Sequence, residues 1–204
     1  GKGTGNPDTT IAIGQGVMSA SSVVSSSVFI GNYMAANCTS GAGSTIAIGS
    51  NCLSVSGYSG SNNVVMGHQA GNNISTAEEN VIIGSLAGDA LTTGGQNVAI
   101  GKSALGFENA HGRNVAIGYQ ALTAQDAGAL AYNVAVGWQS GETLTTGVEN
   151  VLMGAKAGGD LNTGSGNVAI GHEALMTEDA HGKNVAVGFE ALKLQNVGAD
   201  GHNV

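Results

Sequence analysis

The sequence is poor in charged, aromatic and proline residues. Charged residues make up 10% of the 204 residues and aromatic residues 4%, and there is a single proline. So small a charged fraction is untypical of the surface of an ordinary globular domain. The six lysines and arginines form no cluster and the net charge is −8, so the phosphate-neutralising surface that nucleic-acid binding requires is missing. No apolar run approaches the roughly 18 to 20 residues of a membrane span, which excludes membrane insertion of this segment.

Cysteine and histidine are also scarce, and neither is spaced as a metal site. We expect the two cysteines, Cys38 and Cys52, to be free and buried as small apolar residues, although bridges within or between chains stay open. The five histidines show no chelating His-x-x-x-His spacing. In a trimer, His111 and His181 could each meet their copies on the axis, but we favour exposed turn residues. The sequence therefore predicts no metal, no cofactor and no catalytic residue.

Glycine is abundant, and the glycines mark a repeat. Eleven of the 35 glycines, here called the motif glycines, each follow an apolar segment such as Val-Ala-Ile. They are Gly14, Gly31, Gly49, Gly67, Gly84, Gly101, Gly118, Gly137, Gly154, Gly171 and Gly188. Successive motif glycines are about 17 residues apart, and self-similarity at such a period is typical of a solenoid.

A longer period of about 70 residues lies over this repeat. At this longer period Gly84 recurs as Gly154 and Gly101 recurs as Gly171, so four unlike coils form one block. We divide the chain into less regular N-terminal coils at 1–62 and regular coils at 63–204. Because residues 202–204 match the middle of a motif one block earlier, we expect the natural chain to continue beyond Val204.

The apolar segments predict β-strands, because they are short, rich in β-branched residues and bounded by Asn and Gly. Side chains alternate along a strand, so Val98 and Ile100 share a bulky face while Ala99 lies on a small one. A coil of about 17 residues has room for two or three such strands and gives only a thin core. We therefore predict an all-β parallel β-solenoid or β-roll, assembled intertwined or side by side as a homotrimer. Some twelve coils would extend roughly 55–60 Å.

Three columns of the repeat have predicted structural roles. The Asn column precedes the apolar segments and is expected to stack into a hydrogen-bonded ladder. Its members are Asn63, Asn80, Asn97, Asn114, Asn133, Asn150, Asn167, Asn184 and Asn203. The motif glycines are expected to need a positive φ or a close backbone approach. The residue four positions after each motif glycine alternates in pairs between Gly and Leu, which indicates a core position.

These residues carry a family resemblance. Residues 114–122, Asn-Val-Ala-Ile-Gly-Tyr-Gln-Ala-Leu, and their siblings resemble the repeats of bacteriophage tail-fibre-like proteins. They are also similar to the Val-Ala-Ile-Gly repeats in the heads of trimeric autotransporter adhesins, whose coils are shorter, and this difference favours the fibre family. The likeness covers about residues 10 to 204. It implies a homotrimeric extracellular shaft or head, on a virion or on a bacterial cell surface, that meets a host glycan or protein receptor, and it implies no catalytic residues.

The residue directly after each motif glycine varies most, and we call these residues the corner column. Four of its members, Tyr119, Trp138, His172 and Phe189, are the predicted receptor contacts, because exposed aromatic groups bind sugars and proteins. The alternative is that the corner column faces a neighbouring chain. Two other functions are less favoured: an ice-binding solenoid would show a regular Thr array, and a polysaccharide depolymerase would show a recurring carboxylate pair.

Overall fold

A computed structural model describes residues 10–18, 24–35, 38, 42–177 and 180–195. The predictions made for Asn203 and for residues 202–204 concern residues outside these ranges. The described residues form one parallel sheet of eleven strands that lie in chain order. The strands are β1 (Ile11–Ile13), β2 (Val28–Asn32), β3 (Ile46–Ser50), β4 (Val64–Met66), β5 (Val81–Ile83), β6 (Val98–Ile100), β7 (Val115–Ile117), β8 (Val134–Val136), β9 (Val151–Met153), β10 (Val168–Ile170) and β11 (Val185–Val187).

Each strand pairs with the equivalent residues of the next coil. Val98 lies opposite Val115, Ala99 opposite Ala116, and Ile100 opposite Ile117. The same register holds at both ends of the sheet. The prediction of an all-β parallel solenoid with coils of about 17 residues is thus confirmed. At about 4.8 Å per step, eleven strands extend roughly 48 Å.

The prediction of two or three strands per coil is wrong for the described part of the chain, where each coil contributes one named strand. The cause lies in the backbone after each motif glycine. Gln120 and Leu122 both have positive φ, 54° and 49°, and left-handed residues two positions apart interrupt an extended segment. The rest of each coil consists of turns that hydrogen-bond to the coils before and after. The Gln120 N–H, for example, donates to the Lys102 carbonyl at 2.9 Å.

The core lies on the small face of the sheet. The middle residue of nearly every strand is buried, whether it is Phe29, Val65 or Ala99, while the residues on either side are half-buried or exposed. One chain therefore fills its interior with the small face and the turns opposite it. The bulky Val and Ile face points outward along the whole sheet, and we call it the outer sheet face.

The four-coil block results from complementary core packing. The position four after each motif glycine is buried in the regular coils up to Leu175, which confirms its assignment to the core. Where this position is a glycine, as at Gly141, the residue three positions later is a buried apolar one, Leu144. Where it is a leucine, as at Leu122, the residue three positions later is polar, Gln125. An added Cβ at Gly141 would lie only 2.9 Å from Leu122 Cδ2, so a leucine in one coil fills the space that a glycine leaves in the next.

The ladder predicted for the Asn column is present. Each described Asn of this column is fully or almost fully buried. The Asn167 N–H donates to Asn150 Oδ1 at 2.9 Å, and the Asn150 N–H donates to Asn133 Oδ1 at 2.9 Å. The side-chain amide of Asn150 also donates across the interior to the Gly164 carbonyl at 2.9 Å. The Asn column therefore joins successive coils and, at Asn150, also ties the strand to the opposite turn, which satisfies a buried side-chain amide.

All the motif glycines have a positive φ, and all of them except Gly188 also lie close to the backbone of the next coil, as predicted. Gly118 has a φ of +140°, and an added Cβ would lie 2.1 Å from the carbonyl oxygen of Gly137 in the next coil. Gly14, at the other end of the sheet, has a φ of +131° and an equivalent distance of 1.6 Å to Gly31. A side chain at this corner would push neighbouring coils apart, so only glycine fits.

Both cysteines are buried, as predicted, and no disulfide joins them. Burial raises the pKa of the Cys52 thiol to about 12, although a hydrogen bond with its own backbone opposes the shift. A thiol with so high a pKa carries almost no thiolate at neutral pH. No helix among the described residues is long and apolar enough to cross a bilayer.

Candidate binding surfaces

The corner column is displayed by the glycine turn at the end of each strand. Because each motif glycine turns the chain out of the sheet, the next side chain lies at the edge of the rod. Tyr119 is 41% exposed, Trp138 48% and Phe189 75%, and His172 is exposed as well. The single chain thus leaves all four predicted contacts accessible. Their contact with a receptor or with another copy stays a prediction.

The structure brings two of these four residues into ring contact. His172 and Phe189 stack with their ring centroids 5.3 Å apart and an interplanar angle of 10°. Tyr119 and Trp138 are each paired with a lysine instead: Lys102 Nζ lies 6.0 Å from the Tyr119 ring centre, and Lys156 Nζ lies 5.3 Å from that of Trp138. The corner column therefore presents flat rings flanked by cationic groups, an arrangement that suits anionic or sugar-like ligands.

A second polar stripe, which the sequence analysis missed, lies at the other end of the strands. It consists of residues that directly precede the Asn column: Glu79, Gln96, Arg113 and Tyr132. Gln96 Nε2 donates to Glu79 Oε2 at 2.9 Å, Arg113 Nε donates to Gln96 Oε1 at 2.9 Å, and Arg113 also hydrogen-bonds the Tyr132 hydroxyl. All four have positive φ. Their signal in the sequence was a second variable polar column, next to the constant Asn column.

The outer sheet face is apolar over its full length. Ile46 is 42% exposed, Met153 41% and Val187 65%, and no residue of the described strands carries a charge on this face. A continuous apolar surface of this kind is rare on a monomeric soluble protein and marks an interaction surface.

One cluster of titratable side chains lies within the turns. Glu108, His111 and Asp126 each offer a ligand atom within 4.8 Å of those of the other two. The pKa of Glu108 is raised, chiefly because the carboxyl is buried, and the negative charge of Asp126 adds to this shift. The hydrogen bond from the His111 backbone N–H and the charge of His111 oppose it. Sequence reasoning did not find this cluster because Asp126 lies one coil after Glu108 and His111. His111 and His181 are half-buried, so the expectation that they are exposed is wrong.

In the second cluster of titratable side chains, a lysine already pairs with the carboxylates. His172, Glu173 and Glu190 lie together on the surface, and Lys193 Nζ is 2.5 Å from Glu173 and 3.0 Å from Glu190. The hydrogen bond from Lys193 lowers the pKa of Glu173, and the same bond raises the pKa of Lys193. The corner column is therefore bordered by an ion-paired patch near Phe189. No family model, curated protein or solved structure matches this chain.

Proposed function

We propose that this chain is a structural and adhesive segment of an extracellular fibre, of the phage tail-fibre type, that reaches or binds a receptor on a host surface. The observation that carries the proposal is a stack of coils in constant register, held by the buried Asn column. Such a stack supplies length and stiffness, which a fibre needs. The coil length of about 17 residues favours the fibre over the adhesin head, whose coils are shorter.

The outer sheet face supports assembly of the fibre as a homotrimer. It is alike in every coil, so copies in parallel register can each cover the outer sheet face of another along the full length of the rod. Its uncharged Val and Ile residues suit a dry interface between identical chains. Covering it also removes a surface that would otherwise favour aggregation.

Native mass spectrometry of the purified chain tests this assembly. We expect a species of three times the chain mass of 20.0 kDa. Ile117→Lys places a charge on the outer sheet face and should shift the mass towards one chain, with the far-ultraviolet circular dichroism unchanged. The matched control is Thr146→Lys, at an exposed turn position, which should leave the trimer intact. A wild-type chain that is monomeric at micromolar concentration would refute the trimer.

The corner column supports receptor binding. Exposed rings beside lysines provide stacking and charge in one place, which a surface glycan can use. Labelled chain should bind to a glycan array or to a panel of bacterial cells, and Trp138→Ala together with Phe189→Ala should weaken that binding at least tenfold. Gln15→Ala, an exposed substitution in the same column, serves as control. Equal binding by the double variant would show that the receptor contacts lie elsewhere.

A further inference from the structure

The turn cluster at Glu108, His111 and Asp126 contains buried polar atoms without partners. The Glu108 side chain is fully buried, and one of its oxygens, Oε1, accepts the His111 backbone N–H at 2.9 Å. The other oxygen, Oε2, has no hydrogen-bond partner among the described residues, and neither has Nδ1 of His111. Most buried polar atoms in native proteins have a hydrogen-bond partner, so these two neighbouring atoms without one require an explanation.

An ion pair between Glu108 and His111 does not supply that explanation. His111 Nδ1 is 3.6 Å from Glu108 Oε1, which is too long for a hydrogen bond. Asp126 brings a second carboxylate to the same place, and two carboxylates repel each other unless a cation lies between them. The cluster therefore has an excess of negative charge and an imidazole nitrogen available as a ligand.

We propose that Glu108, His111 and Asp126 bind one divalent transition-metal ion of the zinc type. Three protein ligands, one imidazole and two carboxylates, are a donor set that zinc accepts. Donor atoms that share a zinc ion at about 2.0–2.2 Å lie roughly 3 to 4 Å from one another, so atoms within 4.8 Å need only small side-chain shifts to close the site. The ion would join two successive coils, because Glu108 and His111 lie in the coil before Gly118 and Asp126 lies in the coil after it.

In the next coil, the position equivalent to Glu108 holds an uncharged residue that forms a different hydrogen bond. Gln125 occupies the place in its coil that Glu108 has in the preceding one, seven residues after the motif glycine. Its Oε1 accepts a hydrogen bond from Asn133 Nδ2 at 3.0 Å, so the amide is tied into the Asn column. The Glu108 carboxylate is instead turned to His111. Glu108→Gln therefore changes the site to a residue that the same fold already accommodates.

The test is isothermal titration of zinc chloride into the tag-free full chain at pH 7.5, after removal of metals with EDTA. We expect saturable binding and a higher thermal midpoint with zinc than with EDTA. Glu108→Gln and Asp126→Asn should each weaken binding of one zinc equivalent per chain at least tenfold, since even outer-shell substitutions cost ten- to a hundredfold. Both variants should lose the zinc-dependent rise of the thermal midpoint.

Asp89→Asn is the matched control, because it removes one negative charge from a half-buried carboxyl in an adjacent coil. It should bind zinc as the wild type does. Asp126 is exposed, so Asp126→Asn keeps the test valid if Glu108→Gln folds poorly. Absence of zinc binding would overturn the proposal. Binding that both variants retain at full affinity would also overturn it, since the zinc would then lie at other surface groups.

Discussion

Substitution of one motif glycine should separate two reasons for its presence. Alanine at Gly118 meets a φ of +140° and an oxygen of Gly137 only 2.1 Å from its Cβ. The backbone conformation costs about 1–3 kcal/mol for a residue with a side chain. The overlap forces these two coils apart at two hydrogen bonds, Gly137 N–H to Ile117 O at 2.8 Å and Gln139 N–H to Tyr119 O at 2.8 Å, which adds about 1–3 kcal/mol. We expect Gly118→Ala to lower the free energy of unfolding by about 2–6 kcal/mol.

Two other glycines of the chain serve as controls. Gly128 has a φ of +67° and no atom within 4 Å of an added Cβ, so Gly128→Ala carries only the left-handed penalty of about 1–2 kcal/mol. Gly188 is a motif glycine with a φ of +132°, but its added Cβ would meet only Ala191 Cβ, at 3.9 Å. Gly188→Ala therefore carries the backbone penalty of this corner without the collision.

Urea unfolding followed by circular dichroism gives the three free energies, and hydrogen exchange shows where protection is lost. We expect the order Gly118→Ala, then Gly188→Ala, then Gly128→Ala, with exchange increased in the coils on both sides of residue 118. A stack of repeats can open locally, so the exchange data decide if the unfolding transition broadens. Equal costs for Gly118→Ala and Gly188→Ala, with unchanged protection around residue 118, would refute the argument from close approach.

Three further predictions concern the ladder, the core and a thiol. Asn150→Ala removes the acceptor of the Asn167 N–H at 2.9 Å from a buried network, and urea unfolding should show a loss of about 2–4 kcal/mol; an unchanged midpoint would contradict the ladder's role. Gly141→Ala overpacks against Leu122 and Leu152 and should cost about 1–3 kcal/mol, and a double-mutant cycle with Leu122→Ala should show the two losses to be less than additive. Burial raises the pKa of Cys52 to about 12, so iodoacetamide at pH 8 should label this thiol only after unfolding, as mass spectrometry measures; rapid labelling of the native chain would contradict its burial.

The sequence predicted those features that a single residue type enforces in every regular coil. Asn150 and Gly154 recur at fixed places, and each has a local reason: a side chain that bonds the next coil, and a backbone that no Cβ can enter. The parallel register follows from these two columns, because each Asn and each Gly must lie over its equivalent in the next coil. Repetition made these roles visible, since an accidental residue would not recur at one position.

The number of strands per coil and the location of the Glu108 cluster could not be predicted in the same way. Leu122 and Gln120 have left-handed backbone conformations that their residue types disfavour, so the packing of the stack imposes them and their sequence gives no sign of it. The Glu108 cluster depends on Asp126, which lies in the following coil, and forms only because the chain between them returns to the same side. Both are consequences of stacking and not of local preference.

The division between constant and variable columns bears on how the proposed fibre can change its specificity. The constant residues, such as Asn150 and Gly154, are buried or in close backbone contact, so substitution there costs stability in every coil that touches them. Trp138 and Phe189 lie at the edge of the rod, where their side chains are exposed and the coil-to-coil hydrogen bonds run through the backbone. Substitution in the corner column therefore alters the exposed surface of the rod while the stack stays intact. A rod whose proposed receptor contacts are separated in this way from its core can acquire a new receptor without a new fold.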